Sequence, residues 1–284
     1  MNGPLVLKLG GELLESGDAR GRIAALAAAI ASHRPLVVVH GGGRAIDAEL
    51  DRRAITPRKV DGLRITDPAT LDVVVSVLAG TANTELVAAL VSKGVPAVGV
   101  TGVDAGLGRA TRTAAHRSTA GAVVDLGLVG DPAETDPSLI ELLLVHGYVP
   151  VVASLGFADA PGPGGDPVIL NVNADVMACR IAAALGDTDL VVAGATAGVL
   201  DTSGESIPML DVTGIDAVIA SGTATAGMVA KLSACRTALL EGVSSVRIVD
   251  GRSFDAHHGA DEAPGTTLVA STELRRSNVE VRSS

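Results

Sequence analysis

Six short, continuously apolar stretches recur along the chain with helix-compatible segments between them, and this alternation constrains the fold most strongly. Unbroken apolar runs of this length are typical of strands buried on both faces. Strands that alternate with helices form βαβ units, so we predict an α/β fold with a mostly parallel sheet. The predicted strands span 4–10, 35–41, 95–102, 147–156, 189–195 and 244–251, and the predicted helices span 18–33, 44–53, 67–93, 136–146, 175–186 and 226–241.

The alternation is interrupted in two places. Residues 103–131 contain Arg, Thr, His and Gly in short pieces, which predicts hairpins that project from the sheet. Residues 156–167, GFADAPGPGGDP, form a cluster of Pro and Gly that is typical of a loop. We therefore expect two lobes, an N-terminal lobe at 1–170 and a C-terminal lobe at 171–284.

The composition argues against several classes of function. The formal net charge is −10 and aromatic residues make up 1% of the chain, so a basic surface and stacking platforms for nucleic acid are both missing. The apolar run at the N-terminus is too short for a signal peptide or a membrane span. The spacing of Cys179 and Cys235 suggests neither a zinc site nor a disulfide framework, which fits a reducing cytoplasm. An acidic chain can still bind a phosphorylated small molecule when its few cations converge on one pocket.

Two glycine-rich turns follow predicted strands and lead into predicted helices. They are KLGGEL at 8–13 and HGGGRAID at 40–47. Successive glycine amides and the positive end of the following helix can together hold an anion. Either turn alone is also compatible with a simple tight turn, but both follow early strands, and ligands bind at the carboxyl edge of open α/β sheets. We therefore predict phosphate binding at the pair, although neither turn matches a Walker or dinucleotide-binding motif.

Two lysines and one acid accompany these turns. Lys8 ends the first predicted strand immediately before a pair of glycines, where its ammonium can reach an anion held by their amides. Lys231 lies near the start of a predicted helix among apolar neighbours that suggest an interior cleft, and a surface lysine is the alternative. Asp175 begins a helix after LNVN, so its carboxylate is either a helix cap or part of a polar cluster with Asn171.

Arg64 completes the set of candidate groups. It lies between apolar residues in DGLRITD at 61–67, where a guanidinium can capture a carboxylate through two hydrogen bonds; pairing with a nearby acid is the alternative. None of the six histidines shows metal or triad spacing, and we assign none of them to catalysis. A carboxyl substrate is already an ionised nucleophile at pH 7 and needs no general base. Lysines and amides without such a base therefore indicate phosphoryl transfer onto a carboxylate.

Several motifs occur together in an order that resembles the amino acid kinase family. They run over nearly the whole chain: LVLKLGGELL, PLVVVHGGG, DGLRITD, LAGTANTELVA, GYVPVVASLG, LNVNADVMACRIAAALG, GMVAKLSA and PGTTLVAS. The resemblance implies the amino acid kinase fold, a three-layer αβα sandwich. It further implies that ATP phosphorylates the side-chain carboxylate of N-acetyl-L-glutamate by direct in-line transfer, a step of arginine biosynthesis.

The resemblance also implies a role for each candidate residue. Lys8 and Lys231 are expected to stabilise the transferring phosphoryl group, with Asp175 orienting both lysines. Magnesium is expected to bridge ATP oxygens, and we name no direct protein ligand for it. Substrate binding is expected at Gly42, Gly43, Arg64 and Asn171, and ATP binding at Gly10, Gly11, Gly41, Gly227 and Met228.

One departure from the family keeps two other hypotheses open. Members commonly carry Ser or Thr followed by Asp, which helps to bind nucleotide, where this chain has Gly194 and Ala195. The departure motivates the hypothesis of a catalytically silent regulatory module that binds acylamino acids. The other hypothesis is a kinase for aminoadipate or glutamate attached to an acidic carrier protein in lysine biosynthesis. Its basic rim would consist of Arg109, Arg112, His116 and Arg117.

The oligomeric state is also an expectation from the resemblance. Segment 67–93 resembles the helix through which family members form dimers, and its apolar run LDVVVSVLAG suits an interface. The extra N-terminal helix of arginine-inhibited, hexameric members is not found before the first predicted strand. We therefore expect a homodimer without strong arginine feedback.

Overall fold

An eight-stranded sheet lies at the centre of the computed structural model, which describes residues 3–118, 121–158, 167–254 and 264–271. The strands of the protein are β1 (Leu5–Leu9), β2 (Leu36–His40), β3 (Lys59–Val60), β4 (Leu63–Arg64), β5 (Ala97–Thr101), β6 (Arg109–Arg112), β7 (His116–Arg117), β8 (Val123–Val124), β9 (Val129–Glu134), β10 (Val149–Ala153), β11 (Leu155–Ala158), β12 (Val168–Val172), β13 (Asp189–Gly194), β14 (Met209–Asp211), β15 (Ser245–Asp250) and β16 (Gly265–Val269). The order in the central sheet is β14-β16-β15-β13-β1-β2-β10-β5, and every neighbouring pair is parallel except β15 and β16.

Helices cover both faces of this sheet. They are α1 (Gly17–Ala31), α2 (Gly43–Arg52), α3 (Pro68–Val75), α4 (Asn83–Ser92), α5 (Ser138–Val145), α6 (Ala174–Leu185), α7 (Val212–Ser221) and α8 (Ala226–Leu240). A π-helical segment, Ser76–Ala82, joins α3 to α4. Successive side chains of β1 point to opposite faces of the sheet. Val6 packs with residues of α6 and α8, whereas Leu7 packs with residues of α1 and α4. The predicted three-layer αβα architecture with a mostly parallel sheet is confirmed.

All six predicted strands and all six predicted helices are present, with small shifts at their ends. The segment 67–93 forms one helical rod, but its middle is π-helical, which the pattern did not indicate. The predicted strand 147–156 divides, since β10 remains in the central sheet and Leu155 begins β11 in a different one. Helix α7, the edge strand β14 and its neighbour β16 were not predicted from the sequence.

The region predicted to project as hairpins forms two different structures. Strands β7 and β8 form a separate antiparallel hairpin, as expected. Strands β6 and β9 instead join β11 and β12 in a small closed barrel. Most of the predicted Pro/Gly loop falls on 159–166, which lies outside the described residues. The lobe boundary after residue 170 falls inside β12, so the division into two lobes stays a prediction.

Among the described residues, the rod Pro68–Ser92 is long and apolar enough to span a membrane by length and hydropathy alone. Its buried side chains Leu86 and Leu90 pack in the same apolar cluster as Ile23 and Leu26 of α1. Much of the apolar character of this rod is therefore explained by its packing as a core helix. Only 39% of its most apolar window is buried, so apolar surface remains exposed.

Candidate active site

A cavity of about 250 Å³ opens at the carboxyl ends of β1 and β2. These strands are parallel neighbours with Leu9 opposite His40, so the two glycine-rich turns that follow them lie side by side. The cavity brings together nine of the residues predicted from sequence: Lys8, Gly10, Gly11, Gly41, Gly42, Gly43, Arg64, Asn171 and Asp175.

The glycines of the two turns are required for different reasons. A Cβ on Gly11 would lie 2.9 Å from the backbone nitrogen of Gly43, and a Cβ on Gly42 would lie 2.8 Å from Leu78. Gly11 therefore lets the two turns pack backbone against backbone, and Gly42 lets the second turn lie against the side chain of Leu78. A Cβ on Gly43 would meet nothing within 4 Å, although Gly43 lines the cavity. The backbone there, at the start of α2, faces open space where an anion can approach.

Lys8, Asp175 and Lys231 form a buried ion cluster beside the turns. The Lys8 Nζ lies 2.7 Å from one oxygen of the Asp175 carboxylate, and the Lys231 Nζ lies 2.7 Å from the other. Helix α6 is capped by Asn173, whose side chain accepts from the amide of Asp175. The alternative of Asp175 as the helix cap is therefore wrong, and its carboxylate is free to hold both lysines.

The charges within this cluster stabilise one another. Burial alone would raise the pKa of Asp175, but the ammonium groups of Lys8 and Lys231 outweigh it and hold this pKa well below its ordinary value. Burial would likewise lower the pKa of Lys231, and the nearby carboxylate of Asp175 raises it instead. Asp175 therefore stays ionised at neutral pH and is poorly suited to be a general base. Lys231 does not line the cavity itself and reaches it through this cluster.

Arg64 pairs with a nearby acid, which is the alternative weighed from the sequence, and its capture of a substrate carboxylate stays a prediction. Its Nη2 lies 2.6 Å from an oxygen of Asp47 and donates to the carbonyl of Gly43 at 3.1 Å. Arg64 lines the cavity and is only 8% exposed. Its Nη1 is buried and has no hydrogen-bond partner among the described residues. A buried, unsatisfied guanidinium nitrogen is costly in an empty site, so this atom indicates a ligand that accepts a hydrogen bond.

Asp47 and Lys59 are site residues that the sequence analysis missed. Lys59 lines the cavity, and its Nζ lies 2.6 Å from the second oxygen of Asp47. Burial would raise the pKa of Asp47, but hydrogen bonds and charge from Lys59 and Arg64 lower it overall. The dipeptide Asp61–Gly62 could have revealed Lys59, because Asp-Gly with positive φ at both residues favours a tight hairpin and places Lys59 opposite Arg64. We call this region, with Asp47, Lys59 and Arg64, the hairpin end.

Asn171 is held at the same cavity by a short chain of hydrogen bonds. Its Nδ2 donates to the hydroxyl of Thr66 at 3.1 Å, and that hydroxyl donates to the carbonyl of Arg64. Asp67 caps α3 by accepting from the amide of Thr70. The end of the hairpin and the start of α3 thus fix the positions of both Arg64 and Asn171.

His40 contacts the backbone of the second glycine-rich turn. It is completely buried, its Nδ1 lies 3.1 Å from the carbonyl of Gly41, and its Nε2 lies 3.1 Å from the Asn83 amide nitrogen. A donating Nδ1 and an accepting Nε2 satisfy both contacts with a neutral ring. Burial lowers the pKa of His40 to about 4, and the hydrogen bond with Gly41 opposes this only in part.

The opposite side of the site lies around the end of β13, and we call it the β13 end. It comprises Gly194 and Ala195 with Glu12 and Arg252. A Cβ on Gly194 would lie 3.2 Å from a carboxylate oxygen of Glu12, and Arg252 donates to the carbonyl of Ala195 at 2.9 Å. The predicted ATP-binding residues Gly227 and Met228 lie in the first turn of α8 and do not line the cavity, so their role stays a prediction.

Two further groups bear on the alternatives. The proposed basic rim is partly neutralised, because Arg112 lies 3.0 Å from Asp125 and His116 lies 2.8 Å from Asp61.

Cys179 and Cys235 are buried and free, and they lie on the facing helices α6 and α8. A hydrogen bond with Cys235 and burial raise the pKa of the Cys179 thiol. Within the described ranges, no group of three His, Cys, Asp or Glu side chains could hold a metal ion.

Comparison with known proteins identifies the family. The amino acid kinase family profile matches residues 3–250. The chain is 40% identical over 274 residues to acetylglutamate kinase of Symbiobacterium thermophilum, covering 93% of this chain and 91% of that protein. It is 40% identical over 268 residues to acetylglutamate kinase of Solibacter usitatus, covering 93% and 98%.

A solved structure supports the same fold. The N-acetylglutamate synthase of Neisseria gonorrhoeae, in complex with coenzyme A and N-acetyl-glutamate, superposes with a TM-score of 0.79 at 23% identity. The match covers 95% of this chain but only 60% of the synthase, so it concerns the fold and not the activity of that longer protein. The profile match and the two curated relatives, each over more than nine-tenths of this chain, show that it belongs to the amino acid kinase family.

Proposed function

We propose that this protein is an acetylglutamate kinase, which uses ATP to phosphorylate the side-chain carboxylate of N-acetyl-L-glutamate in arginine biosynthesis. The observation that carries the proposal is a single cavity with two different anion sites. Arg64, whose Nη1 has no partner among the described residues, lines this cavity together with Lys8 and Asp175 of the Lys8–Asp175–Lys231 cluster. A substrate with two carboxylates and no free amine matches that arrangement.

The acceptor is positioned by groups that already stand in place. Arg64 would bind the α-carboxylate through its free Nη1, and Asn171 would hydrogen-bond beside it. The side-chain carboxylate would then extend toward Gly43 and Lys8. Because the hairpin, α2 and β12 fix these groups, the substrate loses little further freedom after binding, which favours transfer.

Phosphoryl transfer needs charge stabilisation more than acid–base chemistry. An oxygen of the acceptor carboxylate forms a bond to the γ-phosphorus, the bond to the bridging oxygen of ATP breaks, and ADP leaves. The ammonium groups of Lys8 and Lys231 would stabilise the negative charge that is spread over the transferring oxygens. Asp175 would act as a positioning residue, since it holds each lysine at 2.7 Å.

ATP is the phosphoryl donor of a kinase in this family, and we propose that it binds on the C-terminal side at 171–284. The start of α8, with Gly227 and Met228, lies on the same helix as Lys231 and could guide the triphosphate. Lys8 and Lys231 each lie 2.7 Å from an oxygen of Asp175, so two ammonium groups already compensate the charge of this carboxylate. Magnesium would arrive bound to ATP, and it would neutralise phosphate charge.

We also propose a cytoplasmic homodimer. Strand β5 is the edge of the central sheet, α4 packs against β5, and α5 packs on the neighbouring β10. Val91, Leu142, Val145 and Tyr148 are large apolar side chains exposed on or beside these elements, with Val145 81% exposed. A second copy placed against this edge would cover them. Sedimentation velocity should give a dimer, and Val145→Glu should shift it toward monomer.

The alternatives are less well supported than the main proposal. A carrier-linked substrate needs a basic rim, and Arg112 and His116 of that rim are paired with acids. A silent module would not need both lysines of the cluster to be held in place by Asp175. Neither alternative is favoured by the relatives, which are acetylglutamate kinases.

The proposal is tested by incubating the protein with ATP, magnesium and one acid at a time, and trapping the acyl phosphate with hydroxylamine. The acids are N-acetylglutamate, N-acetylaspartate, free glutamate and aminoadipate. We expect hydroxamate with N-acetylglutamate in clear preference to the other three. Turnover of none of them while ATP still binds would indicate a carrier-linked substrate, and failure to bind ATP would indicate the silent module.

A further inference from the structure

At the hairpin end, one carboxylate is covered by two cations. Asp47 on α2 has Lys59 at 2.6 Å from one oxygen and Arg64 at 2.6 Å from the other. Lys59 and Arg64 line the cavity, whereas Asp47 does not. The two cations therefore separate this carboxylate from the space that a substrate would occupy.

The charges at this end add to one net positive charge. Lys59 and Arg64 contribute two cations, and Asp47 stays ionised because those cations lower its pKa. A ligand that presents one carboxylate and an uncharged amide matches this balance. A free α-amino acid presents an ammonium next to the same carboxylate. Among the described residues that line the cavity, it would find two cations at this end and no carboxylate beside them.

The other acids of the cavity do not offer that acceptor at this end. Both oxygens of Asp175 are held by lysines. Glu12 lies at the β13 end, where its carboxylate is close to Gly10 and Gly194. Asp47 is thus the carboxylate that an α-ammonium at the hairpin end would contact if its cover were removed.

We propose that Lys59 is a specificity-determining residue: by covering Asp47, it makes the cavity select an N-acylated amino acid over the free amino acid. This inference rests on the proposed acceptor site and adds how the site discriminates. A desolvated ammonium without a partner is rejected strongly because the cost of burying it is not recovered. Lys59 itself is 40% exposed, so its side chain can be replaced with little loss of packing.

The test compares affinities for N-acetylglutamate and glutamate by titration calorimetry, together with kcat/KM for both acids. The variants are Lys59→Met and Lys59→Gln, which remove the charge, and Lys59→Arg, which keeps the pair with Asp47. We expect the preference for N-acetylglutamate to fall by roughly tenfold or more in Lys59→Met and Lys59→Gln through a gain in glutamate binding. Lys59→Arg should keep the preference.

A second substitution identifies the acceptor. If the uncovered Asp47 binds the ammonium, the gain in glutamate affinity should disappear in the double variant Asp47→Asn/Lys59→Met. An unchanged preference in both neutral variants would overturn the proposal. So would weaker N-acetylglutamate binding with no gain for glutamate, which would mean that Lys59 contacts the substrate directly.

The two proposals fail in different ways. If the unaltered protein phosphorylates none of the four acids tested, the proposed function is wrong. The ratio of the calorimetric affinities for N-acetylglutamate and glutamate then still decides the role of Lys59. If the unaltered protein phosphorylates N-acetylglutamate but the neutral variants keep its preference, only the role of Lys59 is wrong.

Discussion

The two ends of the active site are built differently. At the hairpin end, Arg64 has a side chain only 7% exposed and is held by Asp47 and by a backbone carbonyl. At the β13 end, the side chain of Arg252 is 61% exposed and pairs with its near neighbour Asp250. The arginine of the hairpin end is therefore buried and held in place, whereas the arginine of the β13 end is solvated.

This difference indicates where selectivity resides. Charged hydrogen bonds strengthen when water is excluded, so Arg64 can discriminate between ligands far better than an exposed arginine can. In our proposal the donor nucleotide would meet backbone and solvated charges near Gly194 and Ala195, where family members commonly have Asp. The protein should consequently be strict about its acceptor and more permissive toward its nucleotide.

The largest effect is expected at Asp175, which joins the two ends. Asp175→Asn would leave Lys8 and Lys231 buried without their carboxylate, so both the positions of the lysines and the stability of the fold should suffer. We expect kcat to fall roughly 10³-fold and the free energy of unfolding to fall by about 3–5 kcal/mol. Steady-state kinetics and urea unfolding measure these changes. The exposed Asp51→Asn is the matched control, and a similar result for both variants would contradict the role of Asp175.

A separation of binding from chemistry is expected at Arg64. Arg64→Met should raise KM for N-acetylglutamate by about 10- to 100-fold, the value of a lost charged hydrogen bond, while KM for ATP changes little. Arg58→Met provides the control, because Arg58 precedes the same hairpin but is exposed and pairs with Asp67. Equal effects on the two substrates would show that the ends are not distinct.

Acid should destabilise the fold through His40, which is buried at the end of β2. The folded pKa of His40 is about 4 against an ordinary value of 6.5, so the unfolded chain binds the proton first as the pH falls. Its stabilising effect is present above pH 6.5 and is lost progressively as the pH falls to about 4. Between pH 7.5 and 5 this loss corresponds to about 2 kcal/mol.

A variant isolates the contribution of this histidine. His40→Gln should be less stable at pH 7.5 but should show a smaller decline in the free energy of unfolding toward pH 5. Urea unfolding at several pH values measures the difference between the two slopes. Parallel slopes for the variant and the unaltered protein would exclude His40 as the titrating group.

The smallest effect is expected at the open β13 end. If the missing acid weakens the hold on nucleotide, Ala195→Asp should lower KM for ATP by roughly twofold to fivefold, since a solvated contact contributes about 1 kcal/mol or less. KM for N-acetylglutamate should not move. Ala197→Asp places the same charge at an exposed neighbouring position and should have no effect. An unchanged or higher KM for ATP in Ala195→Asp would mean that Ala195 is not at the nucleotide.

Local sequence patterns predicted much of the fold and half of the site. Apolar runs gave β1 and β2, and adjacent parallel strands then placed the two glycine turns and Lys8 together. The edge strand β14 and its neighbour β16 were missed because short strands with few apolar residues carry little periodic signal. The barrel was missed because pairing between β6, β9, β11 and β12 joins segments that are distant in the chain.

The ion pairs of the site show the same limit. The family resemblance implied that Asp175 orients the two lysines. Only the structure shows that Asn173 caps the helix, so that the carboxylate of Asp175 can pair with the lysines. No pattern singled out Asp47, because an acid on a polar helix face is ordinary until tertiary packing brings Lys59 and Arg64 to it. Residues that act through long-range contacts therefore escaped, while residues in motifs did not.

The most direct test of the account is a single-turnover measurement on Lys8→Met beside the unaltered protein, with N-acetylglutamate affinity determined on the same samples. The account predicts that the unaltered protein forms the acyl phosphate. It predicts that Lys8→Met binds N-acetylglutamate with an affinity within about threefold but transfers phosphate roughly 10²–10³-fold more slowly. Transfer by Lys8→Met at the unaltered rate would contradict the claim that the lysine cluster stabilises the transferring phosphoryl group.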